Sequence, residues 1–199
     1  MEGELIMSKT GNTGVTESTP KNIVFGAGTI HKNLKYTSNA WNFDSSIVGA
    51  TQGGSKFTIS PEITTIEADG ALVKVKGLDV KTGETATMEI NFLELNTDII
   101  KAAVVGKDAT SQDDTYDLIE SKASIAEGDY WDNIAFVGKT LEGKNIIVIL
   151  DNALCTSGFE LEGKNKEAGV GKYTFESYAS LTSDLDTLPW HIYYPKASA

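Results

Sequence analysis

Residues 85–92 read Thr-Ala-Thr-Met-Glu-Ile-Asn-Phe, and polar and apolar side chains alternate along the whole stretch. Successive side chains of a β-strand point to opposite faces, so this period of two predicts a strand with one buried and one solvated face. The apolar face consists of Ala86, Met88, Ile90 and Phe92. Two-faced strands are typical of antiparallel sheets, so this stretch decides the fold class.

The preceding residues predict a β-meander that leads into this strand. In residues 57–64, apolar side chains alternate with polar ones, and Pro61 places that strand at a sheet edge or a bulge because proline cannot donate a ladder hydrogen bond. Asp69-Gly70 predicts a hairpin turn. We then expect a middle strand at residues 72–76 and a second turn at Lys81-Thr-Gly83.

The rest of the chain predicts one short helix among further strands. Asn96 can cap a helix N-terminus, residues 99–104 carry apolar side chains at helical spacing, and Gly106 is placed to end the helix. Further strands are expected at 23–25, 118–125, 133–141, 146–151, 154–161, 170–181 and 188–195, with similar Glu-Gly-Lys-Asn turns at 142–145 and 162–165. The predicted fold is mainly β: an antiparallel β-sandwich or barrel with one short helix.

Two segments fall outside this regular pattern. Residues 1–21 are polar and without a period, which predicts a flexible N-terminal arm before a single domain at 22–199. Residues 38–56 predict a long inter-strand loop, and loops of that length are usually functional or mobile. This loop is unusually apolar for a solvated segment, so we expect it to contact another subunit through Trp41, Phe43, Ile47 and Val48.

The composition argues against catalysis, metal binding and sequence-specific nucleic-acid recognition. The net charge is −11 and all 17 basic side chains are lysine, whereas arginine supplies most bidentate contacts to phosphate and guanine. Cys155 is the single cysteine, and His31 and His191 have no motif around them. Gly26-Ala-Gly28 lacks the third glycine of a dinucleotide fingerprint. We therefore predict no enzyme, no cofactor and no metal site.

Two further features favour simple explanations. An acidic cluster at Asp108, Asp113, Asp114 and Asp117 raises a calcium hypothesis, but its spacing differs from that of an EF-hand loop, and a solvated acidic loop is the preferred interpretation. The longest apolar run is residues 146–150, which fits a buried strand and is far too short to cross a bilayer. We expect no membrane partner.

Several segments taken together resemble the major tail tube proteins of long-tailed phages that infect Gram-positive bacteria. These segments are Asn22-Ile-Val-Phe-Gly-Ala-Gly-Thr-Ile-His-Lys-Asn33, Gly49-Ala-Thr-Gln-Gly-Gly-Ser-Lys-Phe57, Pro61-Glu-Ile-Thr-Thr-Ile-Glu-Ala-Asp-Gly70, Lys76-Gly-Leu78 and Glu84-Thr-Ala-Thr-Met-Glu-Ile-Asn-Phe-Leu-Glu94 with the short helix after it. The resemblance covers roughly residues 22–195 and rests on strand order and turn placement.

The resemblance implies a structural subunit of the virion that assembles in the host cytoplasm. Six copies would form a ring, and stacked rings would form a tube whose lumen conducts DNA without binding it specifically. Its partners would be further copies of itself, a tape-measure protein, and tail terminator or distal tail proteins. A tube subunit of a contractile tail or tail-like bacteriocin is an alternative, and a β-sandwich binding module or adhesin is a rival from another class.

A lumen of this kind needs a wetted inner face, and two strands offer polar faces for it. Each of these faces carries a carboxylate and no lysine, which would give an acidic lumen that repels DNA weakly. The lumen-facing candidates are Thr58, Ser60, Glu62, Thr64, Thr85, Thr87, Glu89 and Asn91.

Overall fold

The computed structural model describes residues 14–163, 165–182 and 184–196, and these residues form mainly antiparallel β structure, as predicted. The first thirteen residues of the predicted arm therefore lie outside the described part of the chain. The α-helices are α1 (Thr19–Asn22), α2 (Phe43–Ser46) and α3 (Thr97–Val104). The strands are β1 (Val24–Lys32), β2 (Tyr36–Thr37), β3 (Ala40–Trp41), β4 (Thr51–Thr65), β5 (Asp79–Phe92), β6 (Lys107–Ala109), β7 (Leu118–Glu120), β8 (Trp131–Thr140), β9 (Asn145–Cys155), β10 (Gly171–Ser177) and β11 (Trp190–Tyr193).

One seven-stranded sheet carries the fold, and β9 lies at its centre. The strand order is β1-β8-β9-β10-β5-β4, and every pairing in the sheet is antiparallel. β9 pairs with β8 along one edge, while β11 and β10 share its other edge. The two shorter pairs, β2 with β3 and β6 with β7, lie outside this sheet.

β9 is central because its apolar run is buried on both faces. Val148 and Leu150 point into the main core, whereas Ile147 and Ile149 point into a second apolar cluster on the opposite side of the sheet. A strand covered on both faces shows a continuous apolar run in place of alternation. This explains why residues 146–150 lack the period of two.

The main core lies on the concave side of the sheet. The predicted apolar face of β5 is fully buried there, and α3 adds Ile99, Ala102 and Ala103. The sheet curls around this core, so that the Phe57 ring of β4 lies 6.3 Å from the Phe136 ring of β8. In the described part of the chain, the two end strands, β1 and β4, do not pair along their length, so the sheet does not close into a barrel. They are linked just before β4, where the Val48 amide donates a hydrogen bond to the Ile30 carbonyl of β1 at 3.0 Å.

The predicted loop at residues 38–56 is wrong in its boundaries. The segment contains β3 and α2, and β4 begins at Thr51. Its aromatic residues cover the second apolar cluster, where Trp41 and Phe43 pack against Leu34 and the outer face of β8 and β9. Trp41 and Phe43 are therefore covered by β8 and β9 of their own chain and need no second subunit to bury them.

The predicted meander is also wrong, because β4 and β5 form one long hairpin. Residues 72–76 lie in the loop that joins the two strands and form no strand, while Lys81 and Gly83 lie inside β5. The strands continue past the predicted turn because a register shift between Glu62 and Ile63 accommodates an extra residue. Lys74 and Lys76 are therefore loop residues.

Several other boundaries need correction. The strand predicted at 118–125 is confined to β7. The stretch 146–151 and the first two residues of 154–161 belong to one strand, β9, in which Asn152 takes a left-handed φ of 48°, whereas residues 156–161 form no strand. Residues 170–181 shorten to β10, and 188–195 shorten to β11. The turn predicted at 162–165 includes position 164, which lies outside the described residues. A helical turn, α1, occupies the end of the predicted arm. The turn at 142–145 joins β8 and β9 as predicted.

The helix predicted after β5 is confirmed as α3. The Asn96 side chain accepts a hydrogen bond from the Ile99 amide at 2.9 Å, and its amide group donates to the Val48 carbonyl at 2.9 Å. Asn96 thus caps α3 and ties it to the segment before β4. The left-handed residue at the C-terminus is Val105, with φ 48°, so the prediction that Gly106 itself ends the helix is off by one residue.

A buried histidine fixes α2 against β1. The His31 side chain contacts the Thr29 hydroxyl through Nε2 at 2.8 Å and the Ser46 hydroxyl through Nδ1 at 2.9 Å. The Ser46 hydroxyl donates to the Asn42 carbonyl at 2.8 Å. Burial lowers the pKa of His31, and a backbone hydrogen bond with Phe43 partly opposes that effect.

We expect Asn96→Ala to lower the free energy of unfolding by about 1 to 2 kcal/mol, because it removes both the helix cap and the bond to Val48. Asn96→Asp keeps the capping acceptor and should cost less. Denaturant unfolding of the two variants measures the difference, and equal losses would show that the cap contributes nothing.

We expect the free energy of unfolding to fall as the pH drops below about 6.5. The folded pKa of His31 lies below its ordinary value of 6.5, so the unfolded chain binds the proton first and stability is lost on acidification. His31→Gln removes this contribution, whereas the raised pKa of Asp151, which acts in the opposite direction, stays in both proteins. Denaturant unfolding between about pH 7 and pH 5 should show a shallower fall in the variant; parallel curves would contradict the assignment.

Candidate functional site

The hairpin of β4 and β5 brings the two predicted polar faces together. Directly opposed residues of an antiparallel pair share one face of the sheet, and here Thr58 opposes Thr87 while Ser60 opposes Thr85. Glu62 continues the row on β4, opposite Gly83. What the sequence offered as two separate faces is therefore one continuous polar face, and its side chains are exposed or half-buried.

This polar face contains lysines, so the expectation of carboxylates without lysine is wrong. Lys56 lies on β4 directly opposite Glu89, and β10 extends the face with Lys172 opposite Asn91. Glu176 of β10 lies opposite Thr87. Three strands therefore contribute to the face, and its charges alternate in sign.

Glu89 lies between the two lysines. Its Oε2 atom is 3.1 Å from the Lys172 Nζ atom, and its Oε1 atom is 3.6 Å from the Lys56 Nζ atom. The hydrogen bond and charge of Lys172, followed by the charge of Lys56, lower the pKa of Glu89. One carboxylate thus faces an ammonium group on each side, across three neighbouring strands.

The far end of the hairpin is an exposed apolar tip. β10 pairs with β5 only over residues 87–92, so the distal half of the hairpin is a two-stranded ribbon. Its connecting loop, residues 66–78, exposes 98% of Leu72 and 77% of Val73. Ile66 and Val75 are exposed as well. We call residues 66–78 the apolar tip.

The hairpin has an unpaired edge along the whole of β4. β4 is the last strand in the sheet order, and in the described residues its strand partner is β5. It runs from Thr51 to Thr65, longer than most strands of globular proteins. Unpaired edges of this length offer backbone hydrogen bonds to another chain, and Pro61 blocks one donor position there. At the base of the ribbon, the Trp190 indole of β11 donates to Glu84 at 3.0 Å.

The residues predicted to form an intersubunit loop lie mostly against their own chain. Trp41 and Phe43 pack on the second apolar cluster and Val48 packs on the main core. Ile47 forms an isolated bridge with His31, and its side chain is exposed. In contrast, sequence reasoning missed the apolar tip, because residues 72–76 alternate like a buried strand.

An aromatic group lies on the back of the sheet. The Trp41 ring is 5.2 Å from the Tyr36 ring and 5.0 Å from the Tyr193 ring. Tyr36 and Tyr193 are both exposed. On the same face, His191 Nε2 lies 3.0 Å from an Asp151 carboxylate oxygen.

Acidic side chains of the predicted cluster and of the cleft beside α3 form ion pairs and local hydrogen bonds in the described residues. Asp108 pairs with Lys101 at 2.8 Å, and Asp113 accepts hydrogen bonds from the amide and hydroxyl of Thr115. The described residues contain no group of three or more His, Cys, Asp or Glu placed to hold a metal ion. A cleft of about 470 Å³ beside α3 is lined by oppositely charged side chains, among them Lys32 and Asp98, which pair at 2.9 Å.

No family model matches the chain, and no curated protein matches it significantly. Within the described ranges, no helix is long and apolar enough to cross a membrane.

We expect amide hydrogen exchange in the monomer to be slower at residues 42–48 than at the apolar tip. The amides of Asn42 and Val48 are hydrogen-bonded to the Lys35 and Ile30 carbonyls, so they should exchange slowly. The apolar tip, where Leu72 and Val73 are exposed, should exchange fast. Fast exchange at 42–48 in the unassembled protein would restore the original expectation of a mobile loop.

Proposed function

We propose that the chain is a structural subunit that self-assembles into rings, and that stacked rings form a phage tail tube that conducts DNA. The observation that carries this proposal is the ribbon of β4 and β5, with its exposed apolar tip and its unpaired edge. Large apolar patches on soluble proteins usually mark interaction sites. A monomer would leave both features uncovered.

The energetics favour a protein partner at the tip. Full burial of a leucine or valine side chain stabilises a complex by about 1.5 to 3 kcal/mol. Covering Leu72, Val73 and their neighbours therefore supplies a strong drive for association, and the free backbone groups of β4 supply direction. Identical subunits are the economical source of such a partner, because one contact repeated head to tail builds rings or filaments.

The polar face of the ribbon is the candidate lumen wall in this proposal. It is continuous, solvated and formed by neighbouring strands, as a wetted channel requires. Its alternating charges replace the uniformly acidic lumen expected from the sequence. The ring of six, the virion localisation and the tape-measure, terminator and distal tail partners are supplied by the resemblance of the sequence. A contractile tail or tail-like bacteriocin would use the same subunit design.

A second candidate function is that of a binding module. The aromatic group of Tyr36, Trp41 and Tyr193 favours it, because exposed aromatic rings on strands suit recognition of a partner. Such a module would remain monomeric at high concentration, whereas a tube subunit would not. Negative-stain microscopy of concentrated protein distinguishes the two, since rings or tubes are expected from the first proposal alone.

We expect Leu72→Asp to abolish ring and tube formation, because it places a charge in the centre of the apolar tip. The free energy of unfolding should stay within about 0.5 kcal/mol of the original value, since Leu72 makes few contacts in the monomer. Leu181→Asp is the matched control, because Leu181 is 96% exposed and lies outside the ribbon. Sedimentation velocity and microscopy measure assembly; normal tubes from Leu72→Asp would remove the tip from the interface.

A further inference from the structure

The two lysines beside Glu89 are exposed cations on the candidate lumen wall. Lys56 and Lys172 expose 72% and 67% of their side chains, so their ammonium groups reach solvent on the polar face. Duplex DNA carries about one negative charge per 1.7 Å of axis, and each lysine that contacts a phosphate releases a counterion and strengthens binding. Repeated around and along a tube, such lysines would hold DNA in place.

Glu89 occupies the position that a DNA phosphate would otherwise take. Its two carboxylate oxygens face different lysines, at 3.1 Å from Lys172 and 3.6 Å from Lys56. The carboxylate is ionised in this setting, because both lysines lower its pKa. A phosphate that approached either ammonium group would have to displace the carboxylate and overcome its charge.

We propose that Glu89 neutralises Lys56 and Lys172 toward the phosphate backbone of duplex DNA, and so sets how weakly the tube wall holds DNA in transit. This inference rests on the proposed function. The three side chains come from β4, β5 and β10, so the arrangement exists only where these strands pair. The low affinity of the wall would then depend on one residue more than on the net charge of the chain.

Glu62 provides a matched control on the same polar face. It is exposed on β4, and among the described residues no lysine lies within salt-bridge distance of it. Glu89→Gln and Glu62→Gln each remove one negative charge from the wall. Only Glu89→Gln also leaves two lysines, Lys56 and Lys172, without the carboxylate that pairs with them.

The experiment measures binding of a short labelled duplex to assembled tubes by cosedimentation. At about 50 mM salt we expect Glu89→Gln tubes to bind the duplex at least about tenfold more tightly than Glu62→Gln tubes. The difference should shrink toward about 200 mM salt, because each added phosphate contact steepens the salt dependence by about 0.9 in log–log slope. Adding Lys56→Gln and Lys172→Gln to Glu89→Gln should return binding to the control level.

The outcomes separate this inference from the proposed function. Equal binding by the two single variants overturns the role of Glu89 and leaves the tube intact. Failure of the unaltered protein to form rings or tubes overturns the proposed function, and the inference falls with it. Should Glu89→Gln fail to assemble, the rates of lysine acylation in the two unassembled variants test the role of Glu89. Lys56 and Lys172 should react faster in Glu89→Gln than in Glu62→Gln, and equal rates would overturn the inference.

Discussion

Burial of β9 on both faces determines how the other segments of the chain are arranged. Its alternate side chains enter two different apolar clusters, so the sheet cannot have one solvated side at its centre. The back of β8 and β9 must be covered, and Leu34, Trp41 and Phe43 cover it. That requirement turns residues 34–46 into a docked layer, with His31 hydrogen-bonded beneath it. The same curl of the sheet brings Val48 to β1 and leaves β4 at the outer edge.

The parts of the hairpin that the core does not cover become the exposed surface. Near the body, β5 lies between β4 and β10, and its apolar face is fully buried. Farther out, neither face of the ribbon meets a core, yet the loop at its end keeps Leu72 and Val73. The two most exposed side chains at the tip, Leu72 and Val73, therefore contribute little to the stability of the isolated chain. The proposed contact with another subunit would explain their presence, and this is why the ribbon carries the functional proposal.

The sequence predicted the features that local chemistry determines. The period of two in residues 85–92 identified β5 and its buried face, and Asn96 identified the start of α3. Long-range contacts determined what it missed. Residues 72–76 alternate like a strand, but within the described ranges no other strand lies beside them. Trp41 and Phe43 were expected to need another subunit, because the sequence does not reveal that they pack on the back of β8 and β9. The charge pattern of the polar face also depends on long-range contacts. Lys56 and Lys172 are distant from Glu89 in sequence, and the register of β4, β5 and β10 places them together.

That register changes how the charge of the chain bears on a polyanion. A net charge of −11 describes long-range repulsion, which salt screens over about 8 Å at physiological ionic strength. At contact distance the local pairs dominate, and there the polar face of β4, β5 and β10 presents ammonium groups that are already paired with a carboxylate. Arginine in the same positions would offer a planar fork that holds phosphate bidentately, whereas lysine offers a single strongly hydrated charge. A surface past which DNA slides is therefore better served by lysines paired with glutamate than by arginine, and this chain contains no arginine at all.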